Sequence, residues 1–586
     1  MRMGHNRNRS ENRNRNRRSL AIPKNPKVRI AGIALVVIFI FGIILAIHKY
    51  APTKEKMSLT DYFVQTEENE SSVILNGEYY EVPEATNVYA LVQNGTTYLS
   101  LGFIKANLDD GYVYDDTENI LRYTTDTDVI SVNLGETNYT VNKDTASMDQ
   151  PIIIYENDMA YLSVDFVKLY TDLTYYTVEN PNRIVVETAG WEKTVATVKR
   201  DTELRRFGGN KSKILATVSK GDSVIVMENY GKWSLVLSED GVLGCIKNSK
   251  LRDKTKEETE ATLEKREYSH ISMDETINMA WFQVTNSSAN SGLSDYLSNT
   301  NGLNVLSPTW FYLSDNAGGV GDYGSLEAVT LCHQQGIQVW GLLSNLVVDD
   351  VDTTAVLNTT SARDNLINNI LAKAIAYDLD GINIDLETIS ANAADGYVEF
   401  IRELSLKCEK NDLILSVDNY VPTASSAYYN RSAQADYADY CVIMAYDEHY
   451  SGSEEAGSVS SIDFVKNGVK DTLEEVPADQ IILALPFYTR LWKTTDDSVT
   501  CTSMGMQEAS EYLIKNDIET AWDDETGQYY AEFEQDGSTY SIWMEDNKSL
   551  DLKLQVFEDN KLAGVSFWKL GFEPSSIWDT IAKYTN

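Results

Sequence analysis

The stretch DLDGINIDLETIS, residues 378–390, places four carboxylates among isoleucines and leucines. Successive side chains of a β-strand point to opposite faces of the sheet. Asn383, Asp385 and Glu387 would therefore share one face, while the apolar residues between them pack on the other. Since a buried carboxylate without a partner is costly, such a strand suits the wall of an enclosed polar site. The pattern predicts three polar side chains in a row, with Glu387 nearest the carboxyl end of the strand.

Short apolar runs recur from residue 268 to the C-terminus, and helix-like segments lie between most of them. Eight such runs in alternation with helices predict an α/β fold, a (β/α)8 TIM barrel over residues 268–586. One gap is too long for a single helix. Residues 493–550 alternate like an antiparallel sheet and predict a small α+β insertion between strands 7 and 8.

Polar residues at the carboxyl ends of barrel strands indicate catalysis. The predicted strand ends carry Trp281, Trp310, Asn345, Glu387, Asn419, Tyr446, Asp447, Arg490 and Trp568. Metal sites on a barrel usually add histidines or further acids at several strand ends, and only His449 lies near these. We therefore expect no metal or other cofactor. Neighbouring carboxylates raise each other's pKa and enclosure adds desolvation, which would keep Glu387 protonated near neutrality, as a general acid requires.

Three motifs resemble a known family. DGINIDLE (380–387) resembles the DGxDxDxE signature of glycoside hydrolase family 18, the chitinase-like barrels. MAYDEHY (444–450) resembles the strand-6 motif of that family, and SFWKLG (566–571) resembles its strand-8 tryptophan. LALPFYTRLW (483–492) resembles more narrowly the branch that contains spore-cortex-lytic N-acetylglucosaminidases. Asn383 stands where most chitinases carry an Asp, and that branch resembles this chain at the position.

The resemblance implies roles for particular residues. Glu387 would protonate the glycosidic oxygen, and the acetamido oxygen of the substrate itself would attack the anomeric carbon, an exception to the two-carboxylate scheme. Asp385 would hold the acetamido N–H, and Tyr446 would bond or orient the acetamido oxygen. The residues expected to contact substrate are Asn383, Trp568, Asp447, Arg490, Trp310 and Asn419. Arg490 either contacts substrate or pairs with Asp447, and core packing stays open for Trp281, Trp310 and Trp492.

Charge is unevenly spread along the chain. The formal net charge is -38, yet residues 1–29 carry +9. The acidic remainder would repel phosphates, so nucleic acid is not an expected partner. An uncharged run at 30–47 follows the basic tail and spans about 27 Å as a helix, close to the hydrocarbon thickness of a bilayer. We predict a single-pass helix at 30–48 with a cytoplasmic N-terminus; a cleaved signal peptide is the alternative.

Two further domains are expected between this helix and the barrel. Residues 97–125 and 160–188 form an internal repeat, each unit predicted as a strand, a short helix and a hairpin. The repeat resembles the N-terminal domain of copper amine oxidases, although no histidine lies between residues 49 and 269 to suggest a copper site. Residues 191–252 resemble bacterial SH3-like domains, which often bind cell-wall peptides. Wall binding and a spacing role stay open for both.

The expected order of segments is a basic cytoplasmic tail (1–29), a transmembrane helix (30–48), a tether (49–75), a duplicated α+β stalk (76–190), an SH3-like β-barrel (191–252), a charged linker with a helix as one alternative (253–267) and the family 18 barrel (268–586). The five cysteines are scattered and odd in number, which does not indicate a disulfide framework and fits a bacterial cell surface.

These features predict a membrane-anchored, outward-facing, monomeric hydrolase of N-acetylglucosamine-containing glycans, with peptidoglycan as the expected cell-wall substrate. A chitinase or endo-N-acetylglucosaminidase acting on exogenous glycans is the alternative enzyme. A lectin that has lost catalysis and a scaffold with a vestigial barrel are the alternatives without activity. The stalk and the SH3-like domain are expected to localise the enzyme without supporting catalysis, so that a chain beginning near residue 253 would hydrolyse small substrates unaided.

Overall fold

The structure is a computed structural model that describes residues 26–65, 67–81 and 88–585. The predicted basic tail at 1–25 lies outside the described residues. The chain divides into two compact units. One comprises Met1–Val92 with Leu173–Thr262, and the other comprises Gln93–Asp172 with Leu263–Asn586.

The second unit contains a closed barrel of eight parallel strands. Each strand pairs with the next, and the eighth pairs with both the seventh and the first. In chain order the strands are Ile277–Phe282, Val305–Pro308, Gln338–Ser344, Gly381–Asp385, Ile414–Tyr420, Tyr440–Met444, Ile481–Pro486 and Gly564–Trp568. A short hairpin, Phe311–Leu313 with Val320–Asp322, follows the second strand. The predicted TIM barrel is confirmed.

Helices cover the outside of the barrel and bury its outer apolar face. They are Leu293–Leu297, Leu326–Gln334, Thr353–Asn358, Thr360–Tyr377, Ala394–Glu409, Arg431–Ala435, Ile462–Thr472, Asn547–Asn560 and Ile577–Thr585. Ile382, Ile384 and Leu386 of the fourth strand belong to the core between strands and helices. The inside is filled by a separate apolar layer that includes Trp340 and Tyr440, whose rings stack at 5.7 Å. The acidic side chain of strand 4, that of Asp385, therefore faces an interior that is otherwise filled by apolar side chains.

The insertion after strand 7 is an antiparallel sheet with one helix. Its strands are Tyr488–Thr494, Val499–Gly505, Ala521–Asp523, Gln528–Gln535 and Ser538–Met544, and its helix is Met506–Lys515. The predicted α+β insertion is present, but it begins at Tyr488. The apolar run 483–492 is not one strand, because the chain leaves the barrel at Phe487, whose N–H donates to the Trp568 carbonyl at 2.7 Å. Arg490 therefore lies on the insertion and not at a barrel-strand end.

Residues 93–172 belong to the same compact unit as the barrel. Their elements are Thr96–Ser100, Leu101–Asn107, Val113–Asp115, Ile120–Thr124, Val129–Asn133, Asn138–Val141, Asp144–Ser147, Ile153–Glu156, Met159–Ser163 and Val164–Tyr170. The hydroxyl of Thr124 donates to the buried Glu399 of a barrel helix at 2.7 Å. Arg122 pairs with Asp364 at 2.7 Å. This part of the stalk is packed on the barrel, and wall binding and a spacing role both stay predictions for it.

The first unit contains the apolar helix Pro26–Tyr50. Within it, Ile30–Tyr50 has a mean hydropathy of 3.2 and is long enough to cross a membrane. The unit also contains the helix Leu59–Phe63 and the strands Glu70–Leu75, Glu78–Tyr80, Leu173–Val178 and Arg183–Thr188. Ala90–Gln93 is a further strand, and it ends at the boundary with the other unit. Phe63 is buried, and the Met57 N–H donates to the Ile214 carbonyl at 2.9 Å. Residues 53–63 are thus fixed to a folded domain, and the predicted free tether at 49–75 is wrong for them.

A seven-stranded antiparallel sheet completes the first unit. Its strands are Glu192–Val198, Thr202–Arg205, Ile214–Val218, Ser223–Tyr230, Trp233–Ser238, Leu243–Lys247 and Leu251–Glu258. The last strand pairs with the first. A helix was one alternative for the charged linker at 253–267, but its first part, through Glu258, lies in the last strand of the sheet. Assignment of this domain as SH3-like stays a prediction.

Candidate active site

Strand 4 carries Asp385 into the barrel and ends just before Glu387. Both side chains line a cavity of about 410 Å³ at the carboxyl end of the barrel. Asn345, which follows strand 3, holds the backbone of Glu387 from both sides. Its side-chain oxygen accepts the Glu387 N–H at 2.9 Å, and its amide nitrogen donates to the Glu387 carbonyl at 3.0 Å. Thr388 then adopts a left-handed backbone conformation, with φ of 55°. The carboxyl group of Glu387 is thereby aimed by its neighbours and not only by its own strand.

Glu387 has one direct hydrogen-bond donor in the cavity. The hydroxyl of Tyr420, at the end of strand 5, donates to its carboxylate. Burial raises the pKa of Glu387 above its ordinary value, the charge of Asp447 raises it further, and the hydrogen bond from Tyr420 opposes both. A carboxyl group with a raised pKa in an enclosed site is suited to general acid chemistry.

Two more carboxyl groups lie beneath Glu387. Asp385 has a raised pKa because it is buried and because Glu387 is close. Asp418 of strand 5 is only 2% exposed, and its pKa is also raised, first by burial and then by the charge of Asp385. Carboxyl groups that interact in this way release their protons as a group. Asp385 therefore has a second acidic neighbour besides Glu387, because Asp418 lies close to it on the next strand.

The side chain of Asn383, on strand 4, forms hydrogen bonds with residues of three other strands. Its side-chain oxygen accepts from the indole of Trp281 and from the hydroxyl of Ser307, both at 3.0 Å. Its nitrogen donates to Ser416 at 3.0 Å and to Asp418 at 2.7 Å. All four hydrogen-bonding positions of the amide are used, and the side chain is fully buried. Asn383 does not line the cavity, so its predicted contact with substrate is wrong. It supports Asp418 instead.

The apolar part of the cavity comes from aromatic residues and from one exposed rim. Trp281 and Trp568 lie together with ring centroids 5.8 Å apart, and both line the cavity. Tyr446 also lines it, and burial raises the pKa of its hydroxyl, which therefore stays protonated and able to donate. Leu346 and Val347 are exposed and form part of the rim. A ring-shaped ligand with polar edges would find apolar faces and hydrogen-bonding groups in this space.

Arg490 pairs with Asp447 and does not line the cavity. The guanidinium donates to Asp447 at 2.7 Å and to Ser503 at 2.8 Å. The hydroxyl of Tyr488 donates to the same oxygen of Asp447. Of the two alternatives left open by the sequence, the structure selects the ion pair. Asp447 and Tyr488 themselves line the cavity, so Arg490 acts on the site through Asp447.

Two further predicted contact residues lie in the core. The indole of Trp310 donates to Asn290 at 2.8 Å, and its ring is fully buried among outer core residues. The amide of Asn419 exchanges hydrogen bonds with Gln434 at 2.8 and 3.1 Å. Neither side chain reaches the cavity, because Asn419 points to the helix side of strand 5 and Trp310, which follows strand 2, packs in the outer core. Trp492 is likewise buried and donates to the Gly457 carbonyl. The predicted substrate contacts of Trp310 and Asn419 are therefore wrong.

The sequence analysis missed several residues of the site, among them two on strand 5. Asp418 and Tyr420 lie on the inward face of strand 5, and both line the cavity. The alternation in the strand groups Ser416, Asp418 and Tyr420 on one face, but only the pairing with strand 4 shows that this face points inward. Within the part of the chain that the structure describes, no three His, Cys, Asp or Glu side chains are arranged to hold a metal ion.

Comparison with known proteins places this site in a family. Residues 349–573 match the model of glycosyl hydrolases family 18, and residues 74–186 match that of the copper amine oxidase N-terminal domain. An uncharacterized glycosylase of Bacillus subtilis is 26% identical over 297 residues, which cover 48% of this chain and 85% of the relative. The cortical fragment-lytic enzyme of the same organism is 25% identical over 247 residues, which cover 40% of this chain and 57% of that enzyme.

One solved structure is similar to part of this chain. The crystal structure of the Bacillus cereus spore cortex-lytic enzyme SleL has a TM-score of 0.49 and 18% identity, over 57% of this chain and 77% of that one. The chain contains a family 18 glycoside hydrolase domain and is a glycosidase, as the motifs of strands 4, 6 and 8 predicted.

Proposed function

We propose that this family 18 domain cleaves N-acetylglucosamine-containing glycans with retention of configuration. The observation that carries the proposal is the placement of Glu387 above Asp385, within a cavity that Trp568 and Tyr446 also line. Glu387 protonates the leaving oxygen. The acetamido oxygen of the substrate attacks the anomeric carbon, and Asp385 stabilises the positive charge of the oxazolinium ring that forms. Water then opens this ring, with Glu387 acting as the base.

The test is a comparison of Glu387→Gln with the parent protein on chitin oligomers and on peptidoglycan fragments. The amide keeps the size of the side chain and can still accept from Tyr420, but it cannot deliver a proton. General acid catalysis typically supplies about 10²–10⁴-fold, so turnover should fall by at least that factor while glycan binding persists. Gln507→Glu, an exchange outside the cavity, is the control and should leave turnover unchanged. Wild-type turnover in Glu387→Gln, or an inverted product seen by NMR, would refute the mechanism.

We propose peptidoglycan as the substrate, and one cation beside the cavity supports the choice. Lys569 follows Trp568, and its ammonium group donates to Gln283, a cavity-lining residue, at 2.8 Å. It also lies 4.3 Å from the centre of the Phe572 ring. Among the described residues no carboxylate forms a salt bridge with this ammonium group, and burial is the one cause that lowers its pKa. A half-buried cation without an acidic partner suits a substrate with carboxylates, which the peptide-bearing strands of peptidoglycan have and chitin lacks.

Lys569→Met tests this choice of substrate. The thioether keeps the packing on Phe572 and removes the charge. We expect cleavage of peptidoglycan fragments to weaken by about two- to five-fold, the value of one exposed charge pair, while cleavage of chitin oligomers is unchanged. Lys561→Met, at an exposed helix end, serves as the control. Equal losses of activity on peptidoglycan fragments and on chitin oligomers would contradict a role of Lys569 in recognising anionic glycans. That outcome would leave the proposed catalytic mechanism unaffected.

We further propose that the chain is anchored by the helix Ile30–Tyr50 with the barrel outside the cell. The support is the basic segment before an uncharged run of membrane-spanning length. The relatives named cortical fragment-lytic enzymes agree with a substrate in the cell envelope. Accessibility of the barrel to added protease on wall-stripped cells checks the topology. Soluble protein whose mature N-terminus lies near residue 50 would overturn it in favour of a cleaved signal peptide.

A further inference from the structure

One loop of the first unit is tied to the end of the apolar helix. The loop joins the strands Thr202–Arg205 and Ile214–Val218, and its sequence RFGGNKSK covers residues 206–213. The N–H of Thr53 donates to the Asn210 carbonyl at 2.8 Å, and Arg205 donates to the Thr53 carbonyl at 3.0 Å. The ammonium group of Lys211 donates to the carbonyl of His48, inside the last turn of the helix, at 2.7 Å.

The connection between the helix and Thr53 is so short that this loop stays near the end of the helix, whatever the angle between the helix and the sheet domain. Thr53 lies three residues after Tyr50, and three extended residues span at most about 11 Å. The helix Ile30–Tyr50 has 21 residues, about 31 Å at 1.5 Å per residue, which matches a hydrocarbon thickness of about 30 Å. If the helix crosses the bilayer, its end lies at the membrane surface, and the loop lies in or beside the head-group layer.

The side chains of the loop fit that environment. Phe207 is 65% exposed, so its ring is free to be buried in a lipid surface, which would stabilise the contact. Arg206 lies over the ring with its guanidinium carbon 5.2 Å from the centre. Lys211 is also exposed. An aromatic ring between cationic side chains is the combination that enters a head-group layer, with the ring at the acyl boundary and the cations on lipid phosphates.

The net charge of the whole sheet domain also favours contact with an anionic membrane surface. Residues 191–252 contain twelve lysines and arginines against seven acidic residues, a net charge of +5 in a chain of net charge -38. Tyr230, on a hairpin of the same sheet, is 52% exposed. The hairpin lies beside the loop, because a methyl group on Gly208 would stand 3.2 Å from the side chain of Trp233. A basic domain with exposed aromatic rings next to a membrane helix attracts an anionic surface.

We propose that this membrane-contact loop, residues 206–213, docks on anionic phospholipid head groups of the outer leaflet, with Phe207 inserted at the acyl boundary. The domain then rests on the membrane and does not swing on a tether, which gives the first unit a defined height above the bilayer. The proposal rests on the membrane anchoring proposed above, and the experiment separates the two. Capture of wall peptides by the same surface is the competing outcome.

The experiment labels the full chain at one cysteine at a time. Cys501→Ser removes the one native cysteine that is not buried. Single cysteines then replace Ile40 in the apolar helix, Phe207 in the loop or Lys220 in the control position. Lys220 lies in the turn at the opposite end of the hairpin formed by Thr202–Arg205 and Ile214–Val218. Each carries an environment-sensitive fluorophore in vesicles of equal parts phosphatidylcholine and phosphatidylglycerol.

Spin-labelled lipids should quench the fluorophores at positions 40 and 207 and shift their emission to the blue, but should leave position 220 unaffected. Absence of quenching at position 40 would refute the membrane anchor. Quenching at position 40 with no quenching at positions 207 and 220 would refute the contact of the loop with the membrane and leave the membrane anchor intact.

A second measurement leaves Phe207 in place. Amide hydrogen exchange of residues 206–213 should be slower in the anionic vesicles than in pure phosphatidylcholine, by about five-fold for each basic residue engaged. Arg206→Glu combined with Lys211→Glu should abolish the difference, while Lys220→Glu should preserve it. Equal exchange in both kinds of vesicle would overturn the proposal, and so would protection by peptidoglycan stem peptides in the absence of anionic lipid.

Discussion

Asn383→Asp would convert a neutral support of the active site into a fourth buried carboxyl group. The amide nitrogen that Asn383 directs at Asp418, 2.7 Å away, would become a carboxyl oxygen. Two carboxyl oxygens at this distance cannot both be ionised and must share a proton. The native variant would therefore hold one proton more than the parent near neutrality, whereas an unfolded aspartate loses its proton near pH 4.

The sign and size of the effect follow from this proton. The shared proton raises the folded-state pKa of the pair above the unfolded value. The stability of the variant should therefore lie closest to that of the parent below about pH 4 and should fall as pH rises towards the folded pKa. Relative to the parent, the free energy of unfolding of the variant falls by about 1.4 kcal/mol per pH unit. The difference in stability should therefore grow by roughly 2.7 kcal/mol between pH 5 and pH 7. Activity should persist at low pH, where the protonated carboxyl group can replace the amide donor.

The assay is urea unfolding at pH 5 and at pH 7, followed by tryptophan fluorescence, since Trp281 and Trp340 are buried inside the barrel. Asn383→Leu is the matched control. It loses the four hydrogen bonds of the amide but cannot ionise, so its deficit should be large and the same at both pH values. A deficit of Asn383→Asp that does not change between pH 5 and pH 7 would refute the shared-proton argument.

Two other variants test the support of Glu387 and the packing of the stalk. Tyr420→Phe removes a hydrogen bond that favours the ionised carboxylate, which should raise the pKa of Glu387 and move the alkaline fall of kcat/KM upward by about 1–2 pH units. Tyr429→Phe is the control, because the hydroxyl of Tyr429 donates to a nearby backbone carbonyl, and it should leave the alkaline fall of kcat/KM where it is. An unchanged alkaline fall in Tyr420→Phe as well would contradict the hydrogen bond between Tyr420 and Glu387. Thr124→Val deprives a buried barrel carboxylate of its donor and should lower the stability of the barrel by about 1–3 kcal/mol, measured by urea unfolding. The exposed Thr127→Val should change it by less than about 0.5 kcal/mol, and equal values for the pair would mean that residues 93–172 do not support the barrel.

Local patterns in the sequence were sufficient for the barrel and for the two central acids. Strand side chains alternate with a period of two whatever the rest of the chain does, so Asp385 and Glu387 had to share a face. The length of the uncharged run likewise predicted a helix of membrane-spanning size. These features depend on residues close together in the chain, and the structure contains each of them.

Contacts between distant segments were decided only by the tertiary structure. The pairing of Asn383 with Ser416 turns the even-numbered side chains of strand 5 inward, which places Asp418 and Tyr420 in the site and sends Asn419 to the helices. Nothing within strand 5 specifies that choice, because either face of an alternating strand can be the inner one until its neighbours set the register. The sequence alone determined which residue types this site contains, and the closure of the barrel decided which of them meet.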